Sequence, residues 1–313
     1  MGNQNPSAYV HEALIDHAWG LANLGIFDLQ FGKLPIAWGT GYVFNPTAKV
    51  ATVSYLGAVS EETPGTIGIV PSLYIGDLLS ISGYVAFQDK SHKTSSLEGD
   101  GKWNNLPFGI KLQAVTGPFD ISAGFIKEVL YNGLSFQRQY YLSADLDGAV
   151  WDLGLYAEAA LQLPQAPKGY NIEESLEVAA GCYYTIPFVE SELRLEYYHQ
   201  GRGESDRSSY DVSRVLAQEQ LVLAEDYLFV YLERIFQDLF KLGAGSLINL
   251  NDGSFFLYPD LTYDVYNNFQ LSVGAYFFFG GKGSEFNGEH TVNGSEMDLT
   301  ETFSVYARCK ISF

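Results

Sequence analysis

Charged side chains in this chain recur at every second position of segments whose intervening positions are apolar. Arg308 and Lys310 alternate with Ala307, Cys309 and Ile311; Glu192, Arg194 and Glu196 alternate with Leu193, Leu195 and Tyr197; Asp260 and Asp264 alternate with Leu261, Tyr263 and Val265. Asp152 and Glu158 are expected on one face of a strand over Trp151–Leu161, with Leu153, Leu155, Ala157 and Ala159 on the other. Side chains of a strand point alternately to opposite faces, so each segment has one wet face and one greasy face. The wet faces are expected to share an interior in which Lys111, Arg194, Arg308 and Lys310 face Asp152, Glu158, Glu177, Glu192, Glu196, Asp260 and Asp264. Bases opposite acids set up a transverse field that selects polar solutes passing between them. The same groups could equally pair with one another and stiffen the interior, and the sequence does not apportion the two roles.

Other chemistry is less well framed. His199 precedes Ser205, Asp206 and Ser208, but no nucleophile motif frames these serines and nearness in sequence is not a triad. No catalytic residue is assigned, and His199 is expected near the membrane headgroups. The segment 281–298 gathers Glu285, Glu289, His290, Glu296 and Asp298 among glycines, without the ligand spacing of a calcium loop, and reads as a solvated acidic loop. Cys182 and Cys309 both fall on apolar faces and are expected to be small hydrophobes, not a disulfide or metal pair. No metal and no cofactor is expected.

Composition narrows the class. Of 313 residues, 47% are apolar, only 18% are charged and 15% are aromatic, with 22 Tyr, 21 Phe and 32 Gly. No apolar run reaches the ~18 residues that a membrane helix needs. Abundant aromatics and glycine without such a helix fit a transmembrane barrel with aromatic girdles. The net charge of −19 argues against a nucleic-acid partner and, in a pore, favours cations. Met1-Gly-Asn-Gln-Asn-Pro6 shows neither the basic start nor the apolar core of a signal peptide, so an exported protein with this sequence is expected to be a mature or shortened form.

The elements that must hold these faces are strands of about ten residues, with almost no helix between them. The first runs from Tyr9 to Ala18, turns at Asn23-Leu24-Gly25 and returns over Ile26–Gly32. Hairpins follow to Gly280, and a strand from Thr300 ends the chain. Short connections (Gly76-Asp77, Thr116–Pro118, Asp147-Gly148, Ile186–Phe188, Asn267-Asn268) alternate with long ones (33–64, 89–106, 130–136, 163–173, 201–226, 281–298), and Asn251–Gly253 alone breaks the rule. Short turns at one end and long loops at the other are a barrel signature. The count is about fifteen strands, and bacterial barrels have an even number, so one further strand before Met1, or one miscounted element near 227–240, is expected. In the loop 201–226, Glu204-Ser205-Asp206 and the spacing of Val212, Val215, Leu216 and Glu219 predict a short helix that constricts a pore or lies over its rim.

The last strand, whose apolar face is Phe303, Val305, Ala307, Cys309, Ile311 and Phe313, resembles the C-terminal strand of Gram-negative outer-membrane β-barrels. That resemblance implies recognition by the barrel-assembly machinery through the Phe313 strand. Residues 26–47, IFDLQFGKLPIAWGTGYVFNPT, resemble a porin-like family of such barrels, with Leu34 and Ala48 departing from its usual Gln and Asp. The resemblance implies that Trp38 lies in the first large loop, folded inward over the mouth or packed at the interface. Physically, Gly39 and Gly41 permit unusual backbone angles and Asn45-Pro46 forces a turn.

Residues 1–313 are therefore expected to form one all-β domain: an antiparallel transmembrane β-barrel of about 14–16 strands, with short periplasmic turns and long extracellular loops. The expected function is an outer-membrane, porin-like channel for passive diffusion of small polar solutes, with a cation preference and no enzymatic activity. Its partners would be outer-membrane lipid, the solutes and, as porins often are trimers, further copies of itself. A barrel enzyme acting at the rim, a structural or adhesive barrel with a blocked lumen, and a soluble β-protein are the competing readings.

Overall fold

The computed structural model describes residues 17–36, 38–50, 65–88, 102–131, 134–164, 169–216, 219–237, 239–266, 269–287, 289–292, 295–298 and 303–311. Within them, fifteen strands form one antiparallel sheet in which each strand pairs with its neighbour in sequence. They are β1 (Ala18–Asn23), β2 (Phe27–Leu34), β3 (Thr66–Ile75), β4 (Leu79–Ala86), β5 (Phe108–Thr116), β6 (Phe119–Tyr131), β7 (Phe136–Val150) and β8 (Leu153–Gln162). Then come β9 (Leu176–Ile186), β10 (Ser191–Gln200), β11 (Asp226–Phe236), β12 (Phe240–Asn249), β13 (Phe255–Tyr266) and β14 (Phe269–Phe279). A separate hairpin of β15 (Glu289–Val292) and β16 (Ser295–Asp298) precedes β17 (Phe303–Ile311), which pairs with β14. The two helices, α1 (Ile172–Ser175) and α2 (Val212–Leu216), are single turns, and among the described residues no helix is long and apolar enough to cross a membrane.

The sheet is rolled into a barrel. One of its faces meets the short segment 35–50 from opposite sides: Trp38 lies against Tyr84 of β4 and Lys111 of β5, while Phe44 lies against Tyr198 of β10 and Tyr227 of β11. The outer wall is apolar and exposed, and acids are among the most buried side chains of the interior. Outward-facing Val305 and Ile110 are 68% and 53% exposed, whereas inward-facing Glu158 and Glu196 are 2% and 1% exposed. A wall of exposed Leu, Ile, Val and Phe around an interior of buried acids and aromatic side chains suits hydrocarbon outside, where every backbone group must be paired within the sheet.

Connections at one end are short: 24–26, 76–78, 117–118, 151–152, 187–190, 237–239 and 267–268. At the other end lie the long segments 35–65, 87–107, 163–175, 201–225 and 280–302, together with two brief ones, 132–135 and 250–254. The stretch 227–240 forms β11, a short turn and the start of β12, so no element was miscounted there.

Two boundaries differ from the sequence reading. The first described strand is Ala18–Asn23, beyond the expected end at Ala18; residues 9–16 of the expected strand Tyr9–Ala18 lie outside the described ones. The cause is the turn itself: Gly25 takes a φ of 83° and its N–H donates to Asn23 Oδ1 at 3.2 Å, so the residues immediately before Asn23 are placed opposite β2. The expected turn at Asp147-Gly148 is instead continuous strand, with Asp147 opposite Tyr156. Gly148 serves close approach here, since a Cβ on it would lie 2.3 Å from the Pro118 carbonyl oxygen. The chain turns three residues later at Trp151-Asp152, where Trp151 adopts φ 55°.

Cys182 and Cys309 are free thiols opposite Leu155 and Leu271, on the outward face. Ser312 and Phe313 lie outside the described residues.

Candidate functional site: an inward strap and the wall it leaves open

Leaving β2 at Leu34, the chain turns into the barrel. Leu34, Ile36, Trp38 and Val50 are buried with Tyr84, Ile126 and Tyr141 of the wall. The segment carries its own polar backbone inward, and buried N–H groups need acceptors. Two carboxylates on the inner wall supply them. Glu196 of β10 accepts from the backbone N–H groups of Tyr42 (2.5 Å), Val43 (3.1 Å) and Phe44 (2.8 Å), and from the Tyr156 hydroxyl at 2.9 Å. Glu158 of β8 accepts from Gly41 N–H at 3.0 Å and from the Thr47 hydroxyl at 2.6 Å.

The sequence explains why the fit is so close. Gly39 has φ 106°, and a Cβ on Gly41 would lie 1.9 Å from the Phe44 carbonyl oxygen and 2.7 Å from Glu158 Oε1. Asn45-Pro46 then reverses the chain, with Ala48 N–H donating to the Asn45 carbonyl at 3.0 Å. Apolar and cationic contacts complete the strap. The Phe44 ring stacks on Tyr198 at 4.1 Å; Lys49 pairs with Glu177 at 2.7 Å and sits over the Tyr141 ring; the Arg194 guanidinium lies 4.0 Å from the Tyr42 ring centre.

A second layer closes this side from the long-loop end. Asp206 caps a single 3-10 turn by accepting from Ser208 N–H, and α2 follows, as the spacing predicted. Beyond it, Val222 and Ala224 are buried over the aromatic wall with Phe286. Glu285 holds that lid, accepting from Leu223 N–H (3.0 Å), the Tyr227 hydroxyl (2.5 Å) and the Asn249 amide (2.9 Å). Burial pushes the Glu285 carboxyl up to about 7, against those hydrogen bonds, which pull it down.

Among the described residues, the strap leaves the opposite wall open. Between the strap and β3–β5 lies a cavity of about 280 Å³, lined by Trp38, Ser72, Tyr74, Ser80, Ser82, Lys111 and Gln113 among others. Its Lys111 ammonium is 3.8 Å from Asp145, which also accepts from the Ser122 hydroxyl.

The strand register puts Lys111, Glu158, Glu177, Glu192, Arg194, Glu196, Asp260, Asp264, Arg308 and Lys310 on one concave face. Asp152 is the exception: strand β8 starts at Leu153, so Asp152 sits exposed in the turn. The bases and acids do not oppose one another as two arrays. Arg194 bonds to its neighbour Glu192 at 2.5 Å, Asp260 meets the Tyr231 hydroxyl, Asp264 accepts from Gln270, and Glu158 and Glu196 are occupied by the strap. Arg308 and Lys310 are exposed, opposite Ser272 and Gln270. Trp38 is 8% exposed and packs edge-on to Tyr84 at 4.7 Å.

Sequence reasoning missed the strap's own anchors, Tyr42, Phe44, Thr47 and Lys49, although the Gly-rich turn before Asn45-Pro46-Thr47 marked the place. His199 faces outward, pairing with Asp226 at 2.9 Å, and no described hydrogen bond joins it to Ser205 or Ser208. The side chains of Glu289, His290, Glu296 and Asp298 lie outside the described residues, and among the described ones no cluster suited to a metal occurs.

An antiparallel meander with an apolar outer wall, acids and tyrosines on its inner face and short turns at one end defines a transmembrane β-barrel of the outer-membrane type. No protein-family model matches the chain, and no curated protein is significantly similar to it. Among solved structures, it is similar to OmpT of Vibrio cholerae, an outer membrane protein, in a form lacking loop L8. The identity is 11% and the TM-score 0.40, over 80% of this chain and 92% of that one. It is also similar to a porin, at 10% identity and a TM-score of 0.35, over 94% of this chain and 80% of that one.

Proposed function

We propose that this chain is an outer-membrane channel through which small polar solutes diffuse passively, with the strap 35–50 as its constriction. One observation carries the reading: the strap is pinned to β8 and β10 by Glu158 and Glu196, and a polar cavity remains beside it along β3–β5. Water-filled passage past fixed side chains needs no cofactor and no covalent step, so His199 is read as a headgroup-level residue and not as a catalytic one. The net charge of −19 supports a preference for cations at the entrances, and the exposed apolar wall supports contact with lipid and with further copies of the chain.

The buried aromatic core beneath the lid favours a second reading, a barrel whose lumen is blocked and whose loops carry the function. Single-channel recording in a planar bilayer separates the two. Stable current steps with a cation-selective reversal potential under a salt gradient are expected; insertion without current would sink the channel reading in favour of the blocked barrel.

A further inference from the structure

The open cavity has a chemistry distinct from the rest of the interior. Ser72, Ser80 and Ser82 present hydroxyls and Gln113 an amide, groups that donate and accept alike. Among the described residues lining it, Lys111 alone is charged, and Asp145 stands 3.8 Å from its ammonium to offset it. A small ion entering here meets no net charge to replace its hydration shell. An apolar solute would strip water from the serines without returning hydrogen bonds.

Two aromatic side chains border the same space. Tyr74 lies opposite Ser80 and is 45% exposed, although it is on the inner face; Trp38 comes from the strap. The cavity of about 280 Å³ has room for roughly nine waters at ~30 Å³ each, the scale of one small cyclic solute. Serine hydroxyls beside an accessible aromatic ring, with Pro35, Ile36 and Val70 as apolar lining, suit a molecule with hydroxyls around its rim and C–H groups on its faces.

We propose that the β3–β5 wall is a binding station for an uncharged polyhydroxylated solute, a monosaccharide or cyclic polyol, whose ring lies against Tyr74. The proposal rests on the channel reading and names its substrate class.

The test is reconstitution of the full chain in a planar bilayer, with glucose, inositol, arginine or glutamate added to one side while the ionic current is recorded. Glucose or inositol is expected to reduce the current saturably, while arginine and glutamate at equal concentration do not. The double substitution Ser72→Val/Ser82→Val is expected to weaken that block about tenfold, as loss of two hydrogen bonds implies. Current steps that neither glucose nor inositol changes, or that glutamate or arginine reduces as strongly, overturn the sugar station and leave the channel standing. Absence of any current step overturns the channel reading, and the station with it. Because the titrations use the unsubstituted protein, they decide the question even if the double variant does not fold.

Discussion

The two halves of the inner wall differ in what their polar groups are used for. On β8–β11, the acids and tyrosines are consumed by contacts within the protein: Glu158 and Glu196 by strap N–H groups, Tyr198 by Phe44, Glu177 by Lys49. On β3–β5, the serines, Tyr74 and Gln113 border open space. A charged residue on an inner barrel face is therefore not by that fact a residue that meets solute. Two carboxylates without a basic partner among the described residues are satisfied by several backbone donors, which is how a buried carboxylate tolerates its position.

Breaking the occupied side should have the largest effect. Glu158→Ala/Glu196→Ala leaves the N–H groups of Gly41, Tyr42, Val43 and Phe44 without their acceptors, and each unsatisfied buried group costs about 1–3 kcal/mol. The strap is expected to leave the wall and conductance to rise several-fold; an unchanged conductance in a folded variant shows that the strap is not the constriction. Phe44→Ala keeps both carboxylates and removes the stack on Tyr198. A loss of about 3–5 kcal/mol is expected, read as a lower unfolding temperature, and an unshifted midpoint would mean that the stack contributes little.

The lid offers a pH test. Glu285 titrates near 7 in the folded protein, above its ordinary 4.5, so the folded state binds its proton more tightly than the unfolded state does. Its closure is therefore firmest below about pH 4.5 and weakens as pH rises towards 7, by about 1.4 kcal/mol per pH unit and about 3 kcal/mol in all. Hydrogen exchange at Leu223 should accelerate over that range beyond the intrinsic base catalysis, and Glu285→Gln should flatten the excess. An excess that grows towards acid pH contradicts the assignment. The smallest effect belongs to the open wall. Ser80→Ala there should alter stability by no more than about 0.5 kcal/mol, and a larger fall in the unfolding midpoint would place that serine in a packed contact.

Much of the barrel was legible in the sequence because its rule is local. Period-two alternation in β10, β13 and β17 assigns each side chain to a face before any partner strand is known. The failures were also local. Asp147-Gly148 has turn composition, but its glycine is required by a neighbouring strand, which a single stretch of sequence does not show; Asp152 was misplaced as a result. The site was less legible, since Glu158 and Glu192 read alike. Only the inward course of 35–50 separates a carboxylate buried under backbone donors from one paired with an adjacent arginine.

The strap also imposes an order on assembly. Gly41 and Tyr42 bond to carboxylates 117 and 154 residues further along the chain, and both carboxylates face inward only once the sheet has curled. Contacts of such long range form late, after the entropy of closing the loops between them has been met. An early segment must therefore wait for later strands before its backbone N–H groups find their acceptors.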